Sequence, residues 1–198
     1  MFETIEPKVL YFGTPVVLIS TLNEDGTPNL APMSSAWTLG WTVLLGLGAE
    51  GKTLENLARE GECVLNFPPE ALAAAVERLA PLTGKSPMPE EKRALYRYEP
   101  DKFGAAGLTP MPSAVVRPPR VMNCPLQMEG RVRGIGAIGR REDGVVAVEV
   151  EVVRVHTLRD IIRGERHIDP NRWRPLIYSF RHYFGLGPEL GKSFKSET

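Results

Sequence analysis

The sequence has no charge imbalance, since its 24 lysine and arginine residues are matched by 24 aspartate and glutamate residues. A nucleic-acid-binding protein usually carries a basic excess or stripe, so we expect no nucleic-acid partner. No apolar run approaches the roughly 18 residues of a membrane span, and acidic residues stand where a secretory signal is basic. Only two cysteines occur, Cys63 and Cys124, outside any CxxC motif. These absences predict a cytoplasmic protein with reduced thiols and no membrane association.

Several motifs of catalytic chemistry are also missing. No GxGxxG follows a predicted strand, which argues against a Rossmann dinucleotide fold, and the P-loop spacing GxxxxGK[ST] is absent. A serine hydrolase would need a nucleophile in a strained turn such as GxSxG, and the sequence has none. The three histidines, His156, His167 and His182, are dispersed without the clustered ligands of a metal site. We therefore expect no catalytic side chain and no bound metal.

Short strands and tight turns make up most of the chain. Apolar or alternating runs predict strands at 16–21, 29–35, 41–47, 63–67, 126–138 and 145–156. Asp25-Gly26 predicts a hairpin turn, and the first three strands are expected to form an antiparallel meander. Amphipathic patterns predict two helices, at 54–60 and 70–79. Many short strands with few helices indicate a barrel or a sandwich.

The chain reads as a single domain over residues 1–198. Residues 82–120 are rich in proline and scattered charge and have little periodicity, so they are expected to form an irregular excursion from the core. One helical turn is expected near 90–96. Residues 173–198 combine aromatic residues with glycines, which predicts a segment that packs on the domain or on a partner subunit.

The most suggestive local motif is Gly51-Lys52-Thr53 at the start of the first predicted helix. Free backbone N–H groups and the helix dipole favour an anion at such a position, and Lys52 and Thr53 add a charge and a hydroxyl. These groups can form a monophosphate site. Alternatively, Thr53 caps the helix and Lys52 is solvated, and local physics alone favours this second interpretation.

A second motif runs from Met33 to Trp37 and joins small and hydroxyl residues to a tryptophan. The backbone of such a segment lets a planar ring approach, and the serine hydroxyls can bond its polar rim. The alternative is an ordinary strand end whose polar residues face water.

Several segments in order resemble one known family. PVVLIST, EDGTPN, LAPMSSAW, GKTLENL and ECVLNFP are similar to the first half of the flavin-reductase-like, FMN-binding split-barrel proteins. Gly107-Leu108-Thr109, the stretch from Cys124 to Gly130, and Pro175-Leu176 extend the similarity over nearly the whole chain. The resemblance implies a mainly β fold, namely an antiparallel Greek-key split β-barrel with a few short flanking helices.

The resemblance also implies a set of cofactor-binding residues. Four of them, Met33, Ser34, Ser35 and Ala36, would lie along the isoalloxazine ring, next to Trp37. Lys52 and Thr53, with Asn56 nearby, would hold the FMN phosphate, and His182 would face the flavin or the nicotinamide. Sites of this family commonly lie at a dimer interface, which implies a homodimer.

The activity implied is hydride transfer from NADH or NADPH to FMN, with FAD or riboflavin as alternative flavin substrates. The cofactor carries this chemistry, which agrees with the lack of a catalytic constellation. Reduced flavin would then serve a partner oxygenase or another acceptor, and the excursion at 82–120 would act as a lid. Three alternatives remain: a non-enzymatic FMN electron-transfer protein, an FMN oxidase of the pyridoxamine-phosphate-oxidase type, and a flavin-free barrel that binds a protein partner.

Overall fold

We analysed a computed structural model of the chain, which describes residues 1–195; the last three residues of the predicted packing segment 173–198 lie outside this range. The strands are β1 (Phe12–Pro15), β2 (Val17–Leu22), β3 (Pro28–Met33), β4 (Ala36–Leu39), β5 (Thr42–Gly48), β6 (Glu62–Phe67), β7 (Leu82–Thr83), β8 (Arg97–Tyr98), β9 (Pro110–Met111), β10 (Arg120–Val121), β11 (Leu126–Ala137), β12 (Val145–Thr157), β13 (Ile162–Arg163), β14 (His167–Ile168), β15 (Ile177–Ser179) and β16 (His182–Phe184). The α-helices are α1 (Lys52–Glu60), α2 (Ala73–Leu79) and α3 (Lys102–Ala106).

The main sheet has seven antiparallel strands in the order β3-β2-β6-β11-β12-β5-β4. Its two edge strands, β3 and β4, are consecutive in the chain and joined only by Ser34-Ser35, so the sheet must curl until its edges approach each other. The result is a barrel with a gap between these edges, and the predicted split-barrel fold is confirmed. The predicted meander is wrong, because β3 pairs only with β2 and lies at the opposite edge from β4 and β5.

The turn between β2 and β3 forms as its sequence predicts. Gly26 adopts a φ of 81°, which favours glycine. The Asp25 carboxylate accepts bonds from the Thr27 backbone N–H and hydroxyl at 3.0 and 2.6 Å. Local chemistry therefore sets the register that pairs Leu22 with Pro28.

The apolar core has two parts, because both faces of β2 are buried. Val17 and Ile19 point into the barrel interior, whereas Val16 and Leu18 point outward, as the two-residue period of a strand requires. The outer face is covered by α2, which contributes Leu79, and by the excursion, which includes α3. This double burial explains the uninterrupted apolar run at the start of β2.

The excursion at 82–120 is more ordered than its composition suggests. Its predicted helical turn is present as a 3-10 helix at Glu90–Lys92, and it also contains α3, which the sequence analysis missed. Phe103 and Leu108 are buried against the outer face of the barrel. The segment is therefore part of the second core, although stretches such as 93–98 are exposed.

One buried carboxylate attaches the excursion to the barrel. Glu129 on β11 has no exposed surface and accepts hydrogen bonds from the backbone N–H groups of Ala114, Val115 and Val116 at 2.6–3.1 Å. The Nε2 atom of His156 on β12 lies 2.6 Å from Glu129 Oε1, the oxygen that also accepts from Ala114. Burial acts to raise the pKa of Glu129, but these donors outweigh it and hold the pKa below its ordinary value.

Near the chain end, β15 and β16 form a hairpin that pairs with β1 in a three-stranded sheet. Its turn residues Phe180 and Arg181 have φ values of 45° and 69°. Leu176 is buried and its carbonyl accepts a bond from the Val16 N–H at 2.8 Å, so the first part of the segment packs on the domain, whereas residues 184–195 are exposed. Over the described residues, no helix is long and apolar enough to cross a membrane.

Candidate functional site

A cavity of about 280 Å³ lies at the gap of the barrel. It is bordered by β3, the end of β5, the start of α1 and the excursion. Three lysines line it, Lys52, Lys92 and Lys102, together with Thr53, and no carboxylate occurs among the described residues of its lining. A cavity with this electrostatic character favours an anionic ligand.

Helix α1 points its N-terminus at this cavity. Gly51 is the N-cap residue, and no side chain caps the helix. The Glu55 N–H already bonds to the Gly51 carbonyl at 3.2 Å, whereas the preceding N–H groups have no partner within the helix. The alternative in which the Thr53 side chain caps the helix is therefore wrong, and the free N–H groups suit an anion.

A buried polar network holds the start of α1 against the β2–β3 hairpin. The Asn29 side-chain amide donates to the hydroxyls of Thr21 and Thr53 at 3.3 and 3.2 Å. The Asn56 amide donates to the Thr21 hydroxyl and to the Asn23 side-chain oxygen, both at 3.0 Å. Because Thr53 accepts in this network, its own hydroxyl hydrogen remains available to a ligand.

The same network leaves one acceptor unsatisfied. Asn29 is 2% exposed, and its Oδ1 atom has no hydrogen-bond partner among the described residues. A Cβ on Gly84 would come within 2.7 Å of this oxygen, so glycine keeps the space beside it open. A buried acceptor without a donor is costly, and a ligand hydroxyl placed here would satisfy it.

Lys52 is bound to two carboxylates beside the cavity. Its Nζ atom lies 2.7 Å from Glu24 and 2.9 Å from Glu55, and Glu55 also contacts Lys85. Partial burial acts to lower the pKa of Lys52, but both carboxylates outweigh it and raise the pKa. Lys52 therefore stays charged, although its charge is partly neutralised already.

Lys102 is the most deeply buried cation of the cavity, and the sequence analysis did not single it out. It is 3% exposed, and burial lowers its pKa to about 8. No hydrogen bond or ion pair of its amine occurs within the described part of the chain. The sequence does contain two signals for the short helix that carries it. Asp101 caps the start of α3, and Gly107, with a φ of 67°, ends it.

A second cavity of about 300 Å³ adjoins the first and shares Pro32, Met33, Ala80 and Tyr96 with it. Its other walls are mostly aromatic and come from Tyr11, Tyr178 and Tyr183, with Ser34 at the edge. The Tyr183 hydroxyl donates to the Glu77 carboxylate at 3.0 Å. A cationic cavity thus continues into an aromatic one that suits a planar ring.

The predicted site residues fall into two groups. Met33, Ser34, Lys52 and Thr53 line the two joined cavities. The others do not: the Ser35 carbonyl accepts from the Gly46 N–H, Ala36 packs in the barrel core, Trp37 is 56% exposed, Asn56 belongs to the internal network, and His182 lies exposed at the start of β16.

A third cavity, of about 510 Å³, opens on the far side of Lys52 and Gly84. Its walls include three carboxylates, those of Glu24, Asp25 and Asp101. The lysine-lined cavity at the barrel gap is therefore bordered by an acidic cavity, and the carboxylates of the acidic cavity disfavour a second anion.

Fold and cavities together define a split-barrel protein with a lysine-lined cavity and an adjoining tyrosine-lined cavity at the gap of the barrel. The chain belongs to the family described as flavin reductase like domain, whose model matches residues 9–187.

Two further kinds of similarity support this assignment. The chain is 46% identical to the uncharacterized protein YdfE of Bacillus subtilis (strain 168), over 100% of this chain and 95% of that protein. Among solved structures, flavoredoxin of Desulfovibrio vulgaris (Miyazaki F) matches with a TM-score of 0.79 and 22% identity over the whole of both chains. Nitrilotriacetate monooxygenase component B from Bacillus cereus matches with a TM-score of 0.75 and 20% identity over 94% of this chain and 89% of the other.

Proposed function

We propose that this protein binds FMN in the two joined cavities and reduces it with NADH or NADPH. The observation that carries the proposal is the lining of the first cavity, where three lysines and a helix N-terminus face a space in which no described carboxylate lies. FMN combines a phosphate, a chain of hydroxyls and a planar ring. These three parts correspond to the lysines, the unpaired Asn29 oxygen and the aromatic second cavity.

We assign the residues accordingly. Lys102, Lys52 and the N–H groups of α1 would hold the phosphate, and the Asn29 oxygen would accept from a ribityl hydroxyl. Met33 and Ser34 would lie along the ring, as the family resemblance implies, and Tyr96 would cover it. Asn56 takes a supporting role, because its bond to Thr21 keeps Asn29 and Thr53 in position.

FMN is preferred over FAD on electrostatic grounds. The adenylate half of FAD would carry a second phosphate past Lys52 into the third cavity. Glu24, Asp25 and Asp101 line that space and would repel the phosphate. We expect FAD to bind more weakly than FMN, and riboflavin, which lacks the phosphate, to bind more weakly still.

When bound, flavin supplies a ring that accepts hydride from the nicotinamide. The protein's own contribution is binding, orientation and exclusion of water. Met33 and Pro32 form an apolar wall common to both cavities, and the excursion closes the opposite side through Tyr96. No side-chain acid or base is required for these roles.

The deciding experiment measures the flavin absorbance of the purified protein with and without added FMN, and then NADH and NADPH oxidation with excess FMN. Saturable FMN binding together with flavin-dependent oxidation of a nicotinamide supports the reductase. FMN binding without oxidation of either nicotinamide would support the electron-transfer alternative. Absence of flavin binding would reject both.

Replacing Lys52 with alanine should weaken FMN binding by roughly one charge-assisted hydrogen bond, about 1.5–3 kcal/mol. The lower end is expected, because Glu24 and Glu55 already share the Lys52 charge. Fluorescence titration with FMN gives the dissociation constant. Lys85→Ala is the control, because Lys85 contacts the same Glu55 but does not line the cavity. Equal affinities in both variants would move the phosphate away from α1.

Replacing Tyr96 with alanine should raise the KM for the nicotinamide several-fold and change the FMN dissociation constant less. Tyr96 lies on the exposed part of the excursion and borders both cavities. The lid expected over 82–120 would therefore be formed by the residues around Tyr96. The matched control is Tyr98→Ala, since Tyr98 borders only the third cavity. An unchanged KM in the Tyr96 variant would exclude a lid function.

We also propose that two copies form a homodimer. The β4–β5 hairpin carries three large exposed apolar residues, Trp37, Leu39 and Trp41, which are 56%, 73% and 64% exposed. Such a patch on a monomer indicates a protein interface. The double variant Trp37→Ser, Leu39→Ser should sediment as a monomer, whereas Leu95→Ser, an equally exposed position on the excursion, should not. A monomeric parent protein would refute the proposal.

In a homodimer, the exposed residues Trp37 and His182 would lie at the flavin of the partner subunit, in agreement with the family resemblance, which implies a site at the dimer interface. An oxygenase is the acceptor we propose for the reduced flavin, by analogy with the structural neighbour nitrilotriacetate monooxygenase component B. The two cysteines are free and buried, which is compatible with a cytoplasmic location.

A further inference from the structure

A fourth cavity, of about 160 Å³, lies where β10 meets the start of β11 and the end of β12. It shares no lining residue with the three cavities around the barrel gap. Liquid water occupies ~30 Å³ per molecule, so this space takes a group of several heavy atoms. We call it the anion pocket, defined by Arg120, Gln127, His156 and Thr157 with Met111 and Cys124.

Arg120 brings an uncompensated positive charge to the anion pocket. Its Nε and Nη2 atoms donate to the Pro112 carbonyl at 3.1 and 2.9 Å, and Nη1 donates to the Gln127 side-chain oxygen at 3.0 Å. These partners are neutral, and no described carboxylate pairs with Arg120. Two of the five guanidinium hydrogens remain available.

Gln127 fixes the orientation of this guanidinium. It is 5% exposed, and its amide nitrogen donates to the carbonyls of Val121 and Cys124 at 2.7 and 2.9 Å. Both amide hydrogens are therefore used, and only the oxygen is left to face Arg120. The arginine is therefore held in place by a buried side chain whose amide hydrogens are both engaged in hydrogen bonds, as in a preformed binding site.

His156 and Thr157 add two more polar groups. The Glu129 carboxylate accepts three backbone N–H bonds, so the His156 Nε2 atom 2.6 Å away must donate to it. The Nδ1 atom has no hydrogen bond to a described residue. The buried Thr157 hydroxyl oxygen also lacks a partner in the described part of the chain. In the part of the chain that the structure describes, no carboxylate lines the pocket.

We propose that the anion pocket binds a small oxyanion, either a carboxylate or a tetrahedral anion such as phosphate. The Arg120 guanidinium neutralises the charge of the oxyanion and donates its two free hydrogens to it. The Thr157 hydroxyl donates to one oxygen of the same anion. The His156 imidazole forms one wall beside the ligand. The apolar walls formed by Met111 and Met122 limit the ligand to a few heavy atoms.

The test uses the imidazole proton NMR signals of the flavin-free full-length protein at constant pH and ionic strength. His167→Gln and His182→Gln identify the His156 signal by elimination. Sodium acetate and sodium phosphate are titrated separately against sodium chloride, which distinguishes the two kinds of anion. A saturable shift confined to His156, with one of the two anions, supports the proposal.

Arg120→Gln should weaken this binding about tenfold or more, equivalent to the loss of a charge-assisted contact. Arg140→Gln makes the same charge change on an exposed residue near the opposite end of the β11–β12 pair and should have no effect. Thr157→Val keeps the side-chain shape and should weaken binding about three- to tenfold, which provides a test if Arg120→Gln does not fold. Non-saturating shifts, or equal affinity in all variants, would overturn the proposal.

Discussion

Replacing Glu129 with glutamine should lower the free energy of unfolding by about 3 kcal/mol, because a buried group loses several charge-assisted hydrogen bonds at once. Glu129 has no exposed surface and accepts from three consecutive backbone N–H groups of the excursion as well as from His156. The glutamine amide would turn a donor toward one of these donors. Urea unfolding at pH 7 measures the difference between variant and parent.

The control for this prediction is Glu151→Gln. Glu151 pairs with Arg133 at the surface, where their side chains are 42% and 55% exposed, so its loss should cost less than about 1 kcal/mol. If Glu129→Gln and Glu151→Gln destabilise the protein equally, the attachment of the excursion does not depend on Glu129.

The Glu129 contribution should also depend on pH. Its pKa is lowered in the folded protein, so the folded state binds fewer protons than the unfolded state and the contribution is present above the unfolded pKa of ~4.3. It is lost as pH falls through the folded pKa. The stability difference between parent and Glu129→Gln should therefore narrow in acid, as urea unfolding over a series of pH values will measure.

Replacing Lys102 with methionine should weaken FMN binding about 10- to 100-fold, or ~1.5–3 kcal/mol. The upper end is expected, because Lys102 is 3% exposed and no carboxylate competes for its charge, in contrast to Lys52. The variant without flavin should be at least as stable as the parent, since it no longer buries an amine. Flavin titration and urea unfolding measure the two effects, with Lys85→Met as the control.

Loss of the Lys102 proton with rising pH should change stability and FMN affinity in opposite directions. Burial lowers its pKa to about 8, so between this value and the unfolded ~10.4 the unfolded state holds more protons. Stability without flavin should rise across this range, while FMN affinity should fall as the amine loses its charge. Both trends should be weaker in Lys102→Met, and unchanged trends in that variant would assign them to another group.

Most of the fold could be predicted because its determinants are local. The Asp25-Gly26 turn, the start of α1 beside Gly51 and its end at Gly61, which has a φ of 68°, follow from conformations that a few adjacent residues prefer. The long strand β12 was likewise evident from its two-residue period, and the run at 126–138 was predicted as one long strand, which corresponds to β11. The predicted helix over 70–79 divides into a 3-10 turn and α2.

The site could be predicted only where it coincides with such a local feature. Lys52 and Thr53 stand at a helix start, where free backbone N–H groups suit an anion, but local physics alone favoured a capped helix, and only the family resemblance implied a phosphate there. Asn56, which lies on the same helix, was expected near the phosphate but bonds to Thr21 and Asn23 instead. Which face of α1 meets the hairpin depends on packing, and sequence spacing does not specify it.

The sequence by itself determined the class of fold, the positions of its main turns and the start of α1. Only the tertiary structure decided that β3 and β4 form the two edges of the gap, that Lys102 enters the cavity and that Asn29 keeps an unpaired oxygen beside it. Turns and helix ends depend on residues a few positions apart. A cavity depends on residues such as Asn29, Lys52 and Lys102, which are distant in the chain and are brought together by strand pairing and by the packing of the excursion.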